Sequence, residues 1–222
     1  MPLGSEEAQA EAATWFYGGG GGFGNASEIT VDTPENLEAA EFMRSMIDDG
    51  DTQPDPGATN RSPLMDVFIQ GEIGFQVGLP PTVGQIEESN PDLNYEIAPI
   101  PTKDGSSFTL GVADHLMAFR NDDDKTEAIK AFLDYFYSAD VYTTWVSAEG
   151  FLPTTQSGNQ AMSSDAALQP FLELLPDAVF YPSANPAWQA TDAAFKENFG
   201  LIATEDPAEV LQTIQAAADA ES

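Results

Sequence analysis

Short apolar runs alternate with capped amphipathic segments along this chain of 222 residues. In the clearest segment, Thr33 offers a helix cap, Pro34 suits the first helical turn, and apolar residues recur at helical spacing until Gly50. Further helices are predicted at 6–17, 62–71, 125–137, 140–148, 165–175, 187–198 and 207–220, with a short helix capped by Thr82. Strands are predicted at 29–31, 73–77, 95–100 and 115–119. This alternation predicts α/β layering with a largely parallel sheet.

A run of glycines, Gly18–Gly22, follows the first predicted helix. Glycine in a helix interior costs about 1 kcal/mol relative to alanine, so the run ends the helix and forms a loop. A phosphate-binding loop also needs a Lys followed by Ser or Thr, and none follows these glycines. The run is therefore not predicted to bind phosphate.

Charge is strongly unbalanced, since 37 acidic residues face 7 basic ones and the formal net charge is -30. The acids are spread along the chain beside apolar residues, which indicates a folded domain with an acidic surface rather than a disordered tail. Such a surface repels nucleic acid and anionic membranes, because binding either one needs Lys and Arg. It also suits high salt, where screening removes self-repulsion, and a salt-adapted source is therefore a hypothesis.

Several catalytic and metal sites are excluded by composition. The chain has no Cys and a single His, so it cannot form a disulfide, a His-rich zinc site or a Cys–His pair. It has no serine-hydrolase elbow or Walker loop, and we expect no cofactor. The acidic run 122–124 lacks the calcium-loop spacing and is interpreted as the solvated start of a helix. A glycosidase needs only two carboxylates, so that enzyme class stays open on composition.

The first five residues, Met1–Ser5, are similar to a cloning remnant, and we set them outside the fold. No apolar run approaches the roughly 20 residues that a membrane span needs. No charged-then-apolar segment near Met1 indicates a secretion signal. We expect that the natural amino terminus was removed together with its targeting signal.

Four stretches, in this order, resemble one protein family. They are the helix Asp32–Phe42 after the glycine loop, the helix-to-strand turn Phe68–Phe75, the segment Asn90–Pro101, and the segment from Gly111 to Gly150-Phe-Leu-Pro153. Together they are similar to the maltose-binding-protein-like family of extracellular solute-binding proteins, the sugar-capturing components of ABC importers. The resemblance spans nearly the entire chain but only the carboxyl-terminal part of a family member.

The resemblance implies a periplasmic-binding-protein-like α/β fold with two lobes that close around a sugar. Residues 6–101 would belong to the second lobe, residues 102–155 would return to the first lobe, and residues 156–222 would complete the second lobe with helices. The rest of the first lobe is missing and would be a partner, together with the carbohydrate ligand and the importer's permease. The parent protein would be secreted, extracellular or periplasmic, and anchored by a lipid rather than inserted in the membrane.

Sugar sites pair an aromatic ring with planar polar groups, and Trp188 is the best candidate ring. It stands at a helix entrance between Asn185 and Gln189, and the similar family position stacks on a sugar. Core packing is the alternative interpretation of this ring. Thr82 lies where relatives often carry Gly-Pro-Trp, so an expected ring is absent there, and an ordinary helix cap explains Thr82 equally well.

The resemblance points to two further pairs of site residues. Asp114 and His115 lie where the family's returning strand reaches the cleft, although a lone His more often packs or caps. Trp15 and Tyr17 precede the glycine run, in a region that supplies aromatic contacts in relatives. Core packing of a helix is the stronger interpretation for at least one of these two rings.

These observations predict a non-enzymatic sugar-binding protein that is present here as a truncated form with an incomplete site. Two alternatives remain at this stage. One is an interaction module that pairs with a missing first-lobe chain, and the other is a glycoside hydrolase.

Overall fold

The computed structural model describes residues 1–120 and 125–221, so the acidic run 122–124 lies outside the described residues. In chain order the elements are α1 (Ala8–Gly19), α2 (Pro34–Asp48), α3 (Arg61–Ile69), α4 (Pro80–Ser89), β1 (Thr109–Gly111), α5 (Thr126–Phe136), α6 (Ala139–Glu149), α7 (Gln156–Met162), α8 (Gln169–Leu174), β2 (Ala178–Phe180), α9 (Trp188–Asn198) and α10 (Pro207–Asp219). Short 3-10 turns cover Leu175–Asp177 and Phe199–Ala203.

The chain divides into two compact units. Unit 1 consists of Met1–Val77, Ala98–Val112 and Pro176–Ser222. Unit 2 consists of Gly78–Ile97 and Ala113–Leu175. Unit 1 therefore contains α1, α2, α3, α9, α10 and both strands, whereas unit 2 contains α4 to α8.

Helix α1 is the central helix of unit 1, and it is buried on nearly all sides because alanine dominates its first two turns. It packs against α2 and α9, and its ring Phe16 contacts Phe195 and Phe199 at centroid distances of 6.1 and 5.6 Å. The helix ends at Gly20, which has a φ of 92°. Glycine adopts this left-handed conformation without strain, whereas other residues rarely do. The glycine run thus ends α1 as the sequence predicts.

The loop after α1 is held by one buried amide. Asn36 donates from Nδ2 to the carbonyl oxygens of Gly22 and Val31 over 2.7 and 2.9 Å, and its Oδ1 accepts from the Gly22 N–H at 2.9 Å. A Cβ at Gly21 would lie 2.1 Å from Asn36 Oδ1, and one at Gly22 would lie 2.5 Å from the Tyr17 ring. Glycine is therefore required at both positions for the loop to approach α1 and α2 closely.

The helix caps of unit 1 confirm the local sequence signals. Thr33 Oγ1 accepts from the Asn36 N–H at 3.2 Å at the start of α2, and Asp206 Oδ1 accepts from the Ala208 N–H at 2.9 Å at the start of α10. Strands β1 and β2 pair in parallel, with Leu110 opposite Val179. The sheet in the described part of the chain is thus parallel, but its two strands are not among those predicted from the sequence.

Unit 2 has a much smaller core. Its hydrophobic cluster consists of Tyr142, Val146, Met162 and Leu168, around the pair α6 and α7, and Ile86 of α4 is buried as well. Helix α5 forms as predicted and is strongly amphipathic, yet none of its residues is buried. Phe132 is 55% exposed and Tyr135 is 67% exposed. The apolar face of α5 is therefore only partly covered, since Phe136 contacts Tyr142 and Trp145 of α6 at 6.0 and 5.3 Å while Phe132 stays largely exposed.

The strands predicted at 73–77, 95–100 and 115–119 are wrong, because these residues form no strand. Phe75, expected in a buried strand, is 97% exposed. The strand predicted at 29–31 is reduced to a single bridge between Gly24 and Ile29. A strand is stable only when a neighbour pairs with its backbone groups, and no neighbouring strand lies beside these segments in the described part of the chain.

Two further expectations are corrected by the structure. Thr82 does not cap α4 from outside but lies within its first turn, where its Oγ1 accepts from the Leu79 N–H at 3.2 Å. Met1–Ser5 were wrongly set outside the fold, because Leu3 is only 1% exposed and packs in the core of unit 1. The Leu3 and Gly4 N–H groups donate to Pro56 and Thr59 carbonyls over 3.0 and 2.9 Å.

Candidate functional site

Trp188 opens α9 of unit 1 and forms an aromatic pair with Tyr181. The two rings stack with centroids 5.0 Å apart and an interplanar angle of 23°. Behind them lies Phe23, which is fully buried and contacts Trp188 at 5.2 Å and Tyr181 at 6.0 Å. Trp188 itself is only partly buried, so part of its surface remains open to a ligand. We call Tyr181 and Trp188 the aromatic pair.

Tyr17 joins the same cluster from the end of α1. Its ring meets Phe23 edge-on at 5.6 Å and lies 5.7 Å from Phe108. Burial raises the pKa of the Tyr17 hydroxyl, so the side chain is neutral at physiological pH. The structure therefore brings two predicted site residues, Tyr17 and Trp188, onto one buried ring.

Asn185 shapes the turn that leads into α9. Its Oδ1 accepts from the Ala187 N–H at 2.9 Å, and its Nδ2 donates to the Asn25 carbonyl at 3.5 Å. These hydrogen bonds hold the turn next to the aromatic pair. Gln189, the other predicted neighbour of Trp188, is exposed on the first turn of α9.

Trp15 lies on another side of α1 and contacts Phe42 of α2 at 5.9 Å. Its indole Nε1 donates to Glu11 Oε1 at 3.1 Å. Glu11 is almost completely buried, and burial raises the pKa of its carboxyl despite the hydrogen bond from Trp15, which lowers it. A buried carboxyl of this kind is costly unless a partner satisfies it.

Several buried polar atoms lack a hydrogen-bond partner among the described residues. They are Gln9 Oε1, Glu11 Oε2, Arg61 Nε, Gln76 Nε2 and the Tyr181 hydroxyl. The pKa of the Tyr181 hydroxyl is raised, mainly by burial and further by the charge of Glu7, whereas the charge of Arg61 lowers it. The guanidinium of Arg61 also lowers the pKa of Glu11. The Tyr181 hydroxyl is the one atom of this set that belongs to the aromatic pair.

None of these five side chains was predicted as a site residue from the sequence. One signal could have indicated Glu11, because a lone acid within the alanine-rich stretch of α1 stands where a buried helix face is expected. No local pattern distinguishes Arg61 or Tyr181, whose surroundings are created by the packing of α1, α3 and the segment before α9.

The remaining predicted site residues, Thr82, Asp114 and His115, belong to unit 2. Thr82 is buried and uses its hydroxyl in the first turn of α4. Asp114 and His115 are exposed. Their role in a site stays a prediction. No group of three or more His, Cys, Asp or Glu among the described residues is arranged to hold a metal ion.

Residues 2–143 match the family described as bacterial extracellular solute-binding proteins. The chain belongs to this family. It is a family of binding proteins rather than of enzymes, and its members are extracellular. Within the described part of the chain, no helix is both long and apolar enough to cross a membrane.

Curated relatives agree with the family assignment. A binding protein of Brucella abortus (strain 2308) is 38% identical over 162 residues, which are 72% of this chain and 39% of that protein. A binding protein of Brucella suis biovar 1 (strain 1330) matches with 38% identity over 162 residues as well. This solute-binding family member therefore spans about two fifths of the length of the curated relatives that it matches.

Solved structures confirm the fold. An ABC transporter solute-binding protein from Thermotoga lettingae, bound with alpha-D-tagatose, superposes with a TM-score of 0.82 at 19% identity, over 100% of this chain and 59% of that chain. A sugar transporter from Arthrobacter chlorophenolicus A6, with bound laminaribiose, gives a TM-score of 0.80 at 17% identity, over 99% of this chain and 59% of that chain. The predicted periplasmic-binding-protein-like α/β fold is confirmed.

Proposed function

We propose that this chain is the carboxyl-terminal part of a solute-binding protein that captures a sugar and delivers it to the permease of an ABC importer. The observation that carries the proposal is the half-buried aromatic pair of Tyr181 and Trp188. A sugar offers an apolar ring face that stacks on such a surface. The family and the bound sugars of similar structures support the same ligand class.

Within this proposal Trp188 is the platform on which the sugar ring stacks. Asn185 holds the turn that orients it, and Tyr17 supports it through Phe23. Gln189 and Trp15 are the further proposed contributors from unit 1, and a role of Thr82, Asp114 and His115 in sugar binding stays a prediction. Closure of two lobes over the sugar would then present the permease with a shape that the open form lacks.

The site in this chain is proposed to be incomplete. Residues 6–101 and 156–222 would supply the second lobe, and residues 102–155 would join a first lobe whose remaining part lies outside these 222 residues. Exposed rings on α5 support this proposal, because Phe132 is 55% exposed and Tyr135 is 67% exposed. The longer protein, which we call the whole protein, would be secreted and lipid-anchored.

Calorimetry with alpha-D-tagatose, laminaribiose and maltotriose tests the proposal on the whole protein and on the isolated chain. The whole protein is expected to bind at least one sugar at micromolar concentration, and the isolated chain is expected to bind it weakly or not at all. Trp188→Ala should weaken binding by the whole protein by about tenfold or more, since a stacked ring contributes about 1–3 kcal/mol. Absence of any sugar binding by the whole protein would contradict sugar capture.

An interaction module that pairs with a first-lobe chain is the second candidate, and the exposed face of α5 favours it. Mixing the isolated chain with a separately produced first lobe distinguishes the two roles. Complex formation that is unchanged by sugar would favour the interaction module, whereas complex formation that restores sugar binding would favour solute capture.

A further inference from the structure

Two Asn-x-Ser sequences occur in the chain, Asn25-Ala26-Ser27 and Asn60-Arg61-Ser62. With any residue except proline in the middle, this motif is the acceptor of N-linked saccharides on secreted proteins. The family to which the chain belongs is extracellular, so both asparagines stand in a protein that such a modification can reach. The motif is short and recurs by chance, so the structural setting of each asparagine decides whether it can act as an acceptor.

The first motif lies at the tip of a hairpin between α1 and α2. The Asn25 N–H donates to the Glu28 carbonyl at 2.8 Å, and the Glu28 N–H donates back to the Asn25 carbonyl at 3.3 Å. A backbone bridge between Gly24 and Ile29 closes the hairpin behind this turn. Every residue from 24 to 28 is exposed, so a transferase can approach the turn without unfolding the chain.

The side chain of Asn25 keeps its amide nitrogen free in this turn. Its Oδ1 accepts from the Ser27 N–H at 2.8 Å, which holds the asparagine and the serine of the motif together. Among the described residues, none accepts a hydrogen bond from Asn25 Nδ2. Asn185 Nδ2 donates to the Asn25 carbonyl at 3.5 Å and links the hairpin to the turn before α9. The nitrogen that would be modified is therefore accessible on an ordered hairpin.

The second motif is engaged in internal hydrogen bonds. Asn60 is half-buried, and its Oδ1 accepts from the Glu6 N–H at 3.3 Å. Ser62 lies in the first turn of α3, where its hydroxyl donates to Glu6 Oε1 and its N–H donates to Glu6 Oε2 at 3.1 Å. A Cβ at Gly4 would lie 2.2 Å from Asn60 Oδ1, so this amide is also closely packed. A saccharide at Asn60 would have to displace these contacts.

We propose that Asn25 is a site of N-linked glycosylation and that Asn60 is not. In this reaction Asn25 Nδ2 attacks the anomeric carbon of a saccharide that is carried on a lipid phosphate. A carbon–nitrogen bond forms, and the bond from that carbon to the phosphate oxygen breaks, with its electron pair leaving on the lipid phosphate. The amide nitrogen loses one proton to a base of the transferase. The inference is independent of the solute that the protein captures.

Peptide mass mapping tests this inference on the whole protein, purified from the organism that produces it. Trypsin cleaves after Lys and Arg, and Arg44 lies between the two motifs, so each motif is measured on a different peptide. The peptide that ends at Arg44 should carry an added saccharide mass, which fragmentation should place on Asn25. The peptide from Ser45 to Arg61 should have its unmodified mass.

The variant Ser27→Ala, produced in the same organism, removes only the hydroxyl of the first motif. It keeps Asn25 and the backbone N–H that bonds Asn25 Oδ1, and the exposed position should leave folding unchanged by circular dichroism. This variant should lose the added mass completely, whereas the matched control Ser62→Ala should retain it. An unmodified Asn25 in the unchanged protein, an added mass that persists in Ser27→Ala, or equal modification of Asn60 would overturn the inference. None of these outcomes would affect the proposal of sugar capture.

Discussion

The two units differ in how completely they bury their apolar residues. In unit 1 the rings of Phe16, Phe23, Phe195 and Phe199 are fully buried around α1. In unit 2 the hydrophobic cluster lies around α6 and α7 and contains four buried side chains, and α5 has no fully buried residue. Both units nevertheless contain well-formed helices. Local signals are therefore sufficient to form a helix, whereas burial of its apolar face depends on what packs against it.

Replacing one phenylalanine by alanine in each unit should produce the largest difference in stability between the units. Phe16→Ala removes a ring that is central to unit 1 and should lower the free energy of unfolding by about 3–5 kcal/mol. Phe132→Ala, on the exposed face of α5, should change it by less than about 1 kcal/mol. Urea unfolding of the isolated chain measures both values. Similar losses from the two variants would show that α5 is packed after all.

Salt should stabilise both units, because their shared acidic surface repels itself in dilute buffer. Raising the salt from about 0.1 M to about 2 M should increase stability by about 2 kcal/mol, which corresponds to a rise in melting temperature of roughly 4–8 °C at this chain length. Replacing Glu87 and Glu88, which are exposed on α4, by Gln should reduce that rise. A melting temperature that does not increase with salt would contradict the interpretation of the acidic surface.

Unit 1 also contains the buried Glu11, and protonation of its carboxyl should make the stability of this unit depend on pH. Burial raises the pKa of this carboxyl above its value in the unfolded chain. Between the two pKa values the folded state holds a proton that the unfolded state has lost, so stability falls as pH rises through this range. Glu11→Gln should therefore stabilise the chain at neutral pH by roughly 1–2 kcal/mol, the cost of one unsatisfied buried group. At a pH of about 4, below the unfolded value, the gain should shrink.

Thermal melting at both pH values, with the exposed Asp140→Asn of unit 2 as control, measures this effect. The control should behave like the unchanged chain. A Glu11→Gln variant that is less stable at neutral pH would indicate that a partner stabilises the carboxylate, and it would contradict the inference that this group is buried at a net cost.

Loss of a hydroxyl at a helix start should produce the smallest difference in stability between the two units. Thr33→Ala removes the hydroxyl that accepts from the Asn36 N–H and should cost about 1 kcal/mol. Ser138→Ala, at the start of α6, should cost only a few tenths because no side-chain cap bond forms there. Denaturant midpoints at equal slope measure both costs. A larger loss of stability for Ser138→Ala than for Thr33→Ala would contradict this prediction.

Most of the helices were predictable because their signals are local, although α7 was not predicted. Thr33 with Pro34, Asp206 with Pro207, and the glycines after Tyr17 each mark a helix end without reference to the rest of the chain. The strands at 73–77, 95–100 and 115–119 were not, because an apolar run becomes a strand only beside a partner. The short strands β1 and β2 were missed for the same reason, since three residues carry too little pattern.

The site was predictable only in part. Trp188 and Tyr17 were identified from the resemblance, and both lie in one aromatic cluster with Phe23. Tyr181 and Arg61 have no local signature, because their buried environment arises from contacts between distant segments. Leu3 was misjudged because a short terminal sequence gives no sign of the core that it enters.

Sugar capture on the open surface of Trp188 is tested most directly by a crystal structure of the whole protein with its sugar. We expect a sugar ring stacked on Trp188, on the face that the aromatic pair leaves open. A sugar bound elsewhere, with the aromatic pair of Tyr181 and Trp188 left uncovered, would contradict this assignment.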